Sequence, residues 1–211
     1  MMEQVANNGN GKYSYIDSAL AARKVLGDEM GATLFTIAKD VKIQVEFNPA
    51  VISQYRLVGY ENRVLREEDF DNDAVDAGDI GAGHQVTALY EVIPAGGDGW
   101  VPARRYEDTV DTRARKLASE AAYVKLRYKR PGGDTSQLLT YALPASALDT
   151  SRAPAGDFAF AAAVAAFGQK LRGDTLLADM SHRQIAALAG TQASFWRQEF
   201  IELVKTAEGL E

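Results

Sequence analysis

The first forty residues carry a hydrophobic pattern that predicts one strand followed by one helix. Residues 12–16 form a short β-prone run, and Asp17 or Ser18 can cap the helix that follows. Across residues 18–38 the apolar positions recur at helical spacing, at Ala22, Leu26, Met30, Leu34 and Ile37. Because a lone strand and helix cannot bury this stripe, we expect it to pack on the rest of its own chain or against the same helix of a second copy.

A period of two begins at Val41 and predicts an antiparallel sheet system. Apolar side chains alternate with polar ones throughout residues 41–47. Four further alternating runs predict strands, at residues 55–60, 85–92, 123–129 and 137–143. Since each run has one apolar and one polar face, the pattern favours a β-sandwich from about Val41 to Leu143.

Two changes in composition divide the remainder of the chain. Residues 94–121 form a long polar loop, in which we expect a short helix near 112–119. A linker after Pro144 leads to an alanine-rich region with three predicted helices: 158–171 capped by Asp157, a short one to Ala189 opened by a Ser181/Gln184 capping box, and 195–207. The predicted fold is α+β, with a strand-helix unit at 1–40, a β-sandwich at 41–144 and a helical subdomain at 145–211.

The overall composition excludes several classes of protein. The chain has 211 residues, of which 46% are hydrophobic and 25% charged, so collagen-like, disordered and coiled-coil classes do not fit. The absence of cysteine excludes disulfide scaffolds, iron-sulfur clusters and thiolate zinc sites. A net charge of -6 argues against non-specific binding of nucleic acid. No apolar run approaches the roughly 18 residues of a membrane span, and no secretory signal opens the chain.

The two histidines offer little to a catalytic mechanism. His182 lies just inside the predicted capping box, which indicates a solvated helix N-terminus. His84 lies in GDIGAGHQ, whose glycines lack the lysine of a phosphate loop and indicate a turn with positive φ angles. Because neither histidine has a serine and a carboxylate arranged around it in the sequence, we predict a protein that is not an enzyme and has no cofactor.

The acidic segment REEDFDNDAVDAGD is the nearest candidate for a metal site. Asp69, Asp71 and Asp73 have the spacing of the first three ligands of a calcium-binding EF-hand loop. The match fails where the loop needs glycine, at Ala74, and where it needs glutamate, at Ile80. The segment is therefore interpreted as a charged, solvated loop.

Two interpretations of this segment remain open. A basic run at residues 125–130 alternates with apolar residues on a predicted strand, and its side chains could pair with the acidic loop at 67–79. The alternative is a calcium-binding or hydrolytic module that uses the loop at 67–79 together with His84. Carboxylate oxygens such as those of this loop are the ligands that calcium prefers. The two interpretations differ in whether a metal ion or the lysines and arginines of the chain neutralise these carboxylates.

The sequence also resembles a family of bacterial proteins. The resemblance rests on GKYSYIDSALAARKVLGDEMGATLFTIAKDVKIQVEFNPAVISQYRLVGYENRVLREEDFDNDAVDAGDIGAGHQVTALYEV, VKLRYKRPGGDTSQLL, DFAFAAAVAAFGQKLRG and EFIELVKTA. These runs are similar to the region that joins and follows a von Willebrand factor type A domain. The resemblance implies that residues 1–40 are the last strand and helix of a truncated type A domain and that the rest is a C-terminal domain of unknown function.

The Asp-x-Ser-x-Ser metal loop of type A domains is not present in this sequence, so the resemblance transfers no metal ligand. It implies a fragment of a longer envelope or secreted protein. We accordingly expect a non-enzymatic interaction or scaffolding module with a protein partner. The expected contacts are with the upstream type A domain of the same polypeptide, or with a second copy through the N-terminal helix.

Overall fold

The computed structural model describes residues 13–28, 30–59, 64–102, 112–149, 153–177 and 179–210, together with residue 5. Helices and two antiparallel sheets make up the fold, which confirms the α+β prediction. The chain divides into two compact units, built from the following segments. The first unit comprises Met1–Asn48, Arg63–Val86 and Glu120–Pro144, and the second comprises Pro49–Asn62, Thr87–Ser119 and Ala145–Glu211.

The N-terminal helical segment is shorter and less regular than predicted. It consists of helix α1 (Ala19–Arg23), a π-helical stretch (Lys24–Asp28) and helix α2 (Met30–Leu34). Ser18 caps α1 as predicted, because its hydroxyl accepts the N–H of Ala21 at 3.0 Å. The predicted strand at 12–16 is wrong for residues 13–16, which form no strand, and Lys12 lies outside the described residues.

The predicted helix over 18–38 is also wrong at its end, because strand β1 (Thr36–Phe47) begins two residues after Leu34. Thr36 lies opposite Gly81 and Ala38 opposite Ile80, both in strand β3 (Gly78–Gly81). The β-branched Thr36 and Ile37 favour this extended pairing over a further helical turn. Ile37, the last residue of the predicted helical stripe, therefore belongs to strand β1.

The first unit contains a four-stranded antiparallel sheet in the order β3-β1-β5-β6, where β5 is Glu120–Lys129 and β6 is Ser136–Pro144. The strands predicted at 41–47, 123–129 and 137–143 are confirmed. Strand β3 was not predicted, because its four residues end a segment interpreted as a loop. A bulge interrupts β1 between Ala38 and Val41, where Asp40 adopts a φ of 50°.

One face of this sheet is apolar. In the register of β1, β5 and β6, Ile43 lies in one row with Leu126 and Leu139. We call the following set the apolar sheet face: Ile43, Val45, Phe47, Ala122, Val124, Leu126, Leu139, Tyr141 and Leu143. Ala122 is buried, but Leu139 is 56% exposed and Tyr141 is 61% exposed. The face is thus open to solvent at its β6 end.

The second unit contains a two-stranded sheet and three longer helices. The strands are β2 (Ile52–Val58) and β4 (Leu89–Pro94), and the short helix α3 (Thr112–Lys116) confirms the helix expected near 112–119. Residues 103–111 of the predicted polar loop lie outside the described residues. The sheet of β2 and β4 belongs to one compact unit and the four-stranded sheet to the other, and the predicted β-sandwich at 41–144 stays a prediction.

The helices of the second unit enclose its hydrophobic core. They are α4 (Gly156–Leu171), α5 (His182–Ala189) and α6 (Phe195–Glu208), close to the predicted bounds. The core is formed by Ala163, Ala166, Phe167, Ile185, Ala189 and Val204. The capping box of Ser181 and Gln184 is confirmed. The predicted cap Asp157 is wrong, since Ala155 holds the N-cap position and the Asp157 carboxylate pairs with Arg197 at 2.7 Å. No helix among the described residues is long and apolar enough to cross a membrane.

Candidate functional site

The acidic segment lies against strand β1 and is held there by a buried lysine. The Nζ of Lys42 donates to the backbone carbonyl of Asp69 at 3.1 Å and to that of Asn72. Lys42 is only 4% exposed, and Phe70 between those two carbonyls is buried as well. The interpretation of this segment as a solvated loop is therefore wrong at Phe70, whose ring is buried beside a lysine that bonds to the carbonyls of Asp69 and Asn72.

The basic residues of β5 pair with the same segment, as the sequence suggested. Arg127 donates to the Asp71 carboxylate at 2.7 Å, and its guanidinium lies 5.9 Å from the centre of the Phe70 ring. Lys129 donates to the Asp40 carboxylate at 2.7 Å and to the Asp73 carbonyl at 2.8 Å. The predicted pairing of cations and acidic loop is confirmed, and it joins residues more than fifty positions apart in the chain.

The three candidate calcium ligands are placed next to cations of the chain itself. The Asp69 carboxylate lies 3.3 Å from Arg66, and the carboxylates of Asp71 and Asp73 both contact Arg127. Within the described ranges, no group of three or more acidic or histidine side chains is arranged so that it could hold a metal ion. The expectation that this loop holds no calcium stays a prediction, and calcium binding by Asp69, Asp71 and Asp73 stays the alternative to it.

Hydrogen bonds and neighbouring charges shift the pKa values of two carboxyl groups in this segment in opposite directions. Hydrogen bonds from the Ser136 side chain and backbone N–H, followed by the nearby Arg127 and Lys129, lower the pKa of Asp73. Burial raises the pKa of Asp76, as does its proximity to the Asp40 carboxylate. The ionised form of Asp73 is thus favoured by the fold, whereas that of Asp76 is disfavoured.

We expect the Asp73 contacts to be lost in acid. A carboxyl group whose pKa is lower in the folded state stabilises the fold above its unfolded pKa, near 4, and loses that contribution as the pH falls through its folded pKa. Asp73→Asn should therefore make stability less dependent on pH below about 4. The measurement is the urea unfolding midpoint at neutral and acidic pH. The matched control is Asp98→Asn at an exposed loop position, and an equal flattening in both variants would contradict the assignment.

The two histidines occupy different environments. His84 is exposed and follows Gly83, whose φ of 79° confirms the predicted turn. His182 is 3% exposed, and its ring meets the Phe167 ring edge-on at 6.0 Å. The prediction of a solvated position for His182 is wrong, because the first turn of α5 faces the core. The histidines belong to different compact units.

A charged cluster in the second unit was not found from the sequence. Arg56 on β2 pairs with the Glu91 carboxylate on β4 and donates to Asp174 at 2.8 Å. The Gln169 amide donates to the same two carboxylates, at 3.1 Å to Glu91 and 3.0 Å to Asp174. The partners are up to 118 positions apart in sequence, so no local spacing marks them.

A shallow cavity of about 230 Å³ adjoins this cluster, and Arg56, Gln169, Arg172 and Asp174 are among the residues that line it. The Trp100 ring lies 5.5 Å from the Arg56 guanidinium. Two carboxylates neutralise that guanidinium, and the amide of Gln169 joins them. The arrangement connects β2 and β4 to the end of α4, which makes it a structural cluster of the second unit.

The N-terminal stripe is exposed. We define the N-terminal apolar face as Leu26, Met30, Leu34, Phe35 and Ile37. All five are exposed, with Leu26 at 66% and Leu34 at 65%. The expectation that this stripe packs on the rest of its own chain is therefore wrong for these residues. A contact with a second copy stays a prediction.

Comparison with known proteins identifies the family. Residues 32–210 match the family model described as "Uncharacterized protein YfbK, C-terminal". The chain is 45% identical over 214 residues to "Uncharacterized protein YfbK" of Escherichia coli (strain K12), a match that covers 100% of this chain and 36% of the relative. The chain thus spans about a third of the length of this curated relative. No solved structure matches the chain significantly. The chain belongs to the family of the YfbK C-terminal domain.

Proposed function

We propose that this chain is a non-enzymatic interaction module that accompanies a von Willebrand factor type A domain in a longer bacterial polypeptide. The observation that carries the proposal is the N-terminal apolar face, whose five large side chains are all exposed. Each square ångström of apolar surface left in water forgoes about 25 cal/mol of stabilisation. Several large apolar side chains exposed within twelve residues are typical of a segment that another protein surface covers.

The occupant that fits this face best is the type A portion of the same polypeptide. In the sequence, the helical segment that begins after Ser18 and ends at Leu34 resembles the last helix of a type A domain, whose apolar side packs on a sheet. Leu26 and Met30 precede the residues matched by the family model, which begin at residue 32. The relative is nearly three times as long as the match, so a polypeptide of that length has room for a further domain.

The charged clusters support a structural role over a catalytic one. Arg127 engages Asp71 and Asp73, Lys129 engages Asp40, and Arg56 engages Glu91 and Asp174. A calcium-binding or hydrolytic module at residues 67–79 would have to release carboxylates from the cations they now contact. The pairing instead attaches the acidic segment to the sheet, which gives the module a rigid surface.

The experiment uses a double variant that carries both Leu26→Asp and Leu34→Asp. The variant is made in the isolated chain and in the longer polypeptide that includes the type A portion. In the isolated chain both side chains are exposed, so we expect the melting temperature to change little. In the longer polypeptide that includes the type A portion, the same pair should lower the stability by about 2 kcal/mol or more, because each buried leucine contributes about 1.5–3 kcal/mol. The measurement is the thermal unfolding of both polypeptides.

The control is Leu203→Asp, an exposed leucine on α6 of the second unit, which should have a small effect in both contexts. An unchanged melting temperature of the longer polypeptide would contradict the proposal. A dimer of the isolated chain that the double variant dissociates would instead assign this face to a second copy.

A further inference from the structure

Strand β6 is a long edge strand without the usual protection. Among the described strands it pairs with β5 alone, and residues 137–142 are all exposed. Its nine residues, SQLLTYALP, include no charged side chain, and its register with β5 is regular from Ser136 to Leu143. Natural edge strands are usually short, charged or bulged, since a flat edge templates pairing with another strand. The opposite edge, β3, follows that rule with four residues that include Asp79.

The hydrogen bond at the start of β6 shows which backbone groups point outward. The N–H of Ser136 donates to the Asp73 carboxylate at 3.3 Å and is therefore turned away from β5. In a regular antiparallel ladder, successive residues direct their N–H and C=O groups alternately to the two sides. The N–H and C=O groups of Leu138, Thr140 and Ala142 thus point outward. Within the described part of the chain, these groups bond to no segment beyond the sheet.

We propose that β6 is a homodimer interface, at which β6 of a second copy pairs antiparallel about a two-fold axis at Thr140. This register places Thr140 opposite Thr140 of the second copy and Leu138 opposite its Ala142. Three outward-facing residues on each strand then exchange six backbone hydrogen bonds. The two four-stranded sheets become one continuous sheet of eight strands. The proposal does not depend on the N-terminal apolar face.

The side chains of β6 complement a second copy of the same strand. In this register Leu139 of each copy lies opposite Tyr141 of the other, so the pair occurs once on each side of the axis. Aromatic-aliphatic and Thr-Thr pairs stabilise neighbouring antiparallel strands. Side chains directly opposite each other share a face, so the apolar sheet face continues across the axis. Leu139 and Tyr141, its most exposed members, come together there. No like charges meet, because β6 has none.

The test is the association state of the complete chain by sedimentation over about two orders of magnitude in concentration, together with charge-reversal variants. We expect the wild-type chain to dimerise. Thr140→Lys and Thr140→Glu should each sediment as monomers, because like charges then face each other at the axis. An equimolar mixture of the two variants should restore the dimer, which a misfolded variant could not do. Thr140→Val is the neutral control and should still dimerise.

Hydrogen exchange gives a second, residue-specific measurement. The amides of Leu138, Thr140 and Ala142 should become protected as the concentration rises, whereas those of Leu139 and Tyr141 face β5 and should already be protected in the monomer. A wild-type chain that stays monomeric throughout the concentration range would overturn the proposal. So would a dimer that persists in both Thr140 charge variants, or one that is lost only when Leu26 and Leu34 are replaced.

Discussion

Replacing Phe167 with alanine should lower the free energy of unfolding by about 3–5 kcal/mol. Phe167 is buried in the core of the second unit, where its ring meets that of Phe200 edge-on at 5.7 Å and that of His182 at 6.0 Å. Three of the five other buried residues of this core are alanines of α4 and α5, whose short side chains cannot extend into the space that the ring would leave. The measurement is urea denaturation of the purified chain.

Phe158→Ala provides a matched control for this prediction. Phe158 lies on the same helix and undergoes the same substitution, but its side chain is exposed. The expected loss there is within about 0.5 kcal/mol. If the two variants lost similar amounts of stability, the placement of Phe167 in the core would be wrong.

Replacing Lys42 with methionine should lower the free energy of unfolding by about 1–3 kcal/mol. Methionine keeps a long unbranched stem but removes the ammonium that donates to the carbonyls of Asp69 and Asn72. A carbonyl that stays out of water without a partner costs the folded state its desolvation energy. The acidic segment should then detach from β1, so amide exchange at residues 67–79 should also accelerate.

Lys39→Met is the matched control, because Lys39 lies on the same strand with an exposed side chain. Its expected effect is within about 0.5 kcal/mol. Equal loss of stability in both variants, or unchanged exchange at residues 67–79 in Lys42→Met, would contradict the role given to the buried ammonium.

The local elements were predictable where the pattern is strong and long. The alternation at 41–47 predicts the C-terminal part of β1, and the Ser181/Gln184 spacing predicts the start of α5. Both signals depend on residues within a few positions of one another, and the tertiary contacts of the protein agree with them. The pairing of Arg127 with the acidic loop could also be anticipated, since opposite charges in one small chain attract.

Tertiary contacts overrode a local pattern at two places and formed one cluster that no local pattern marks. The helical stripe ends at Leu34, because Thr36 pairs with Gly81 in a strand too short to be recognised. His182 is buried although its capping box marks a helix start, because the face of α5 that meets α4 is chosen by packing. The Arg56 cluster joins three segments of the chain, and no periodicity within one segment contains that information.

The α+β fold, the longer strands and helices, and the opposite charges of the acidic and basic segments were predictable from the amino-acid sequence. Those properties follow from spacing, charge and capping, which act over a few residues. Only the tertiary structure decided that Lys42 is buried beneath the acidic segment, that the N-terminal apolar face is left exposed, and that β6 forms an open edge. Burial and strand pairing depend on which distant segments of the chain contact each other. The free energy of those contacts comes from residues far apart in the sequence, so no local pattern reveals it.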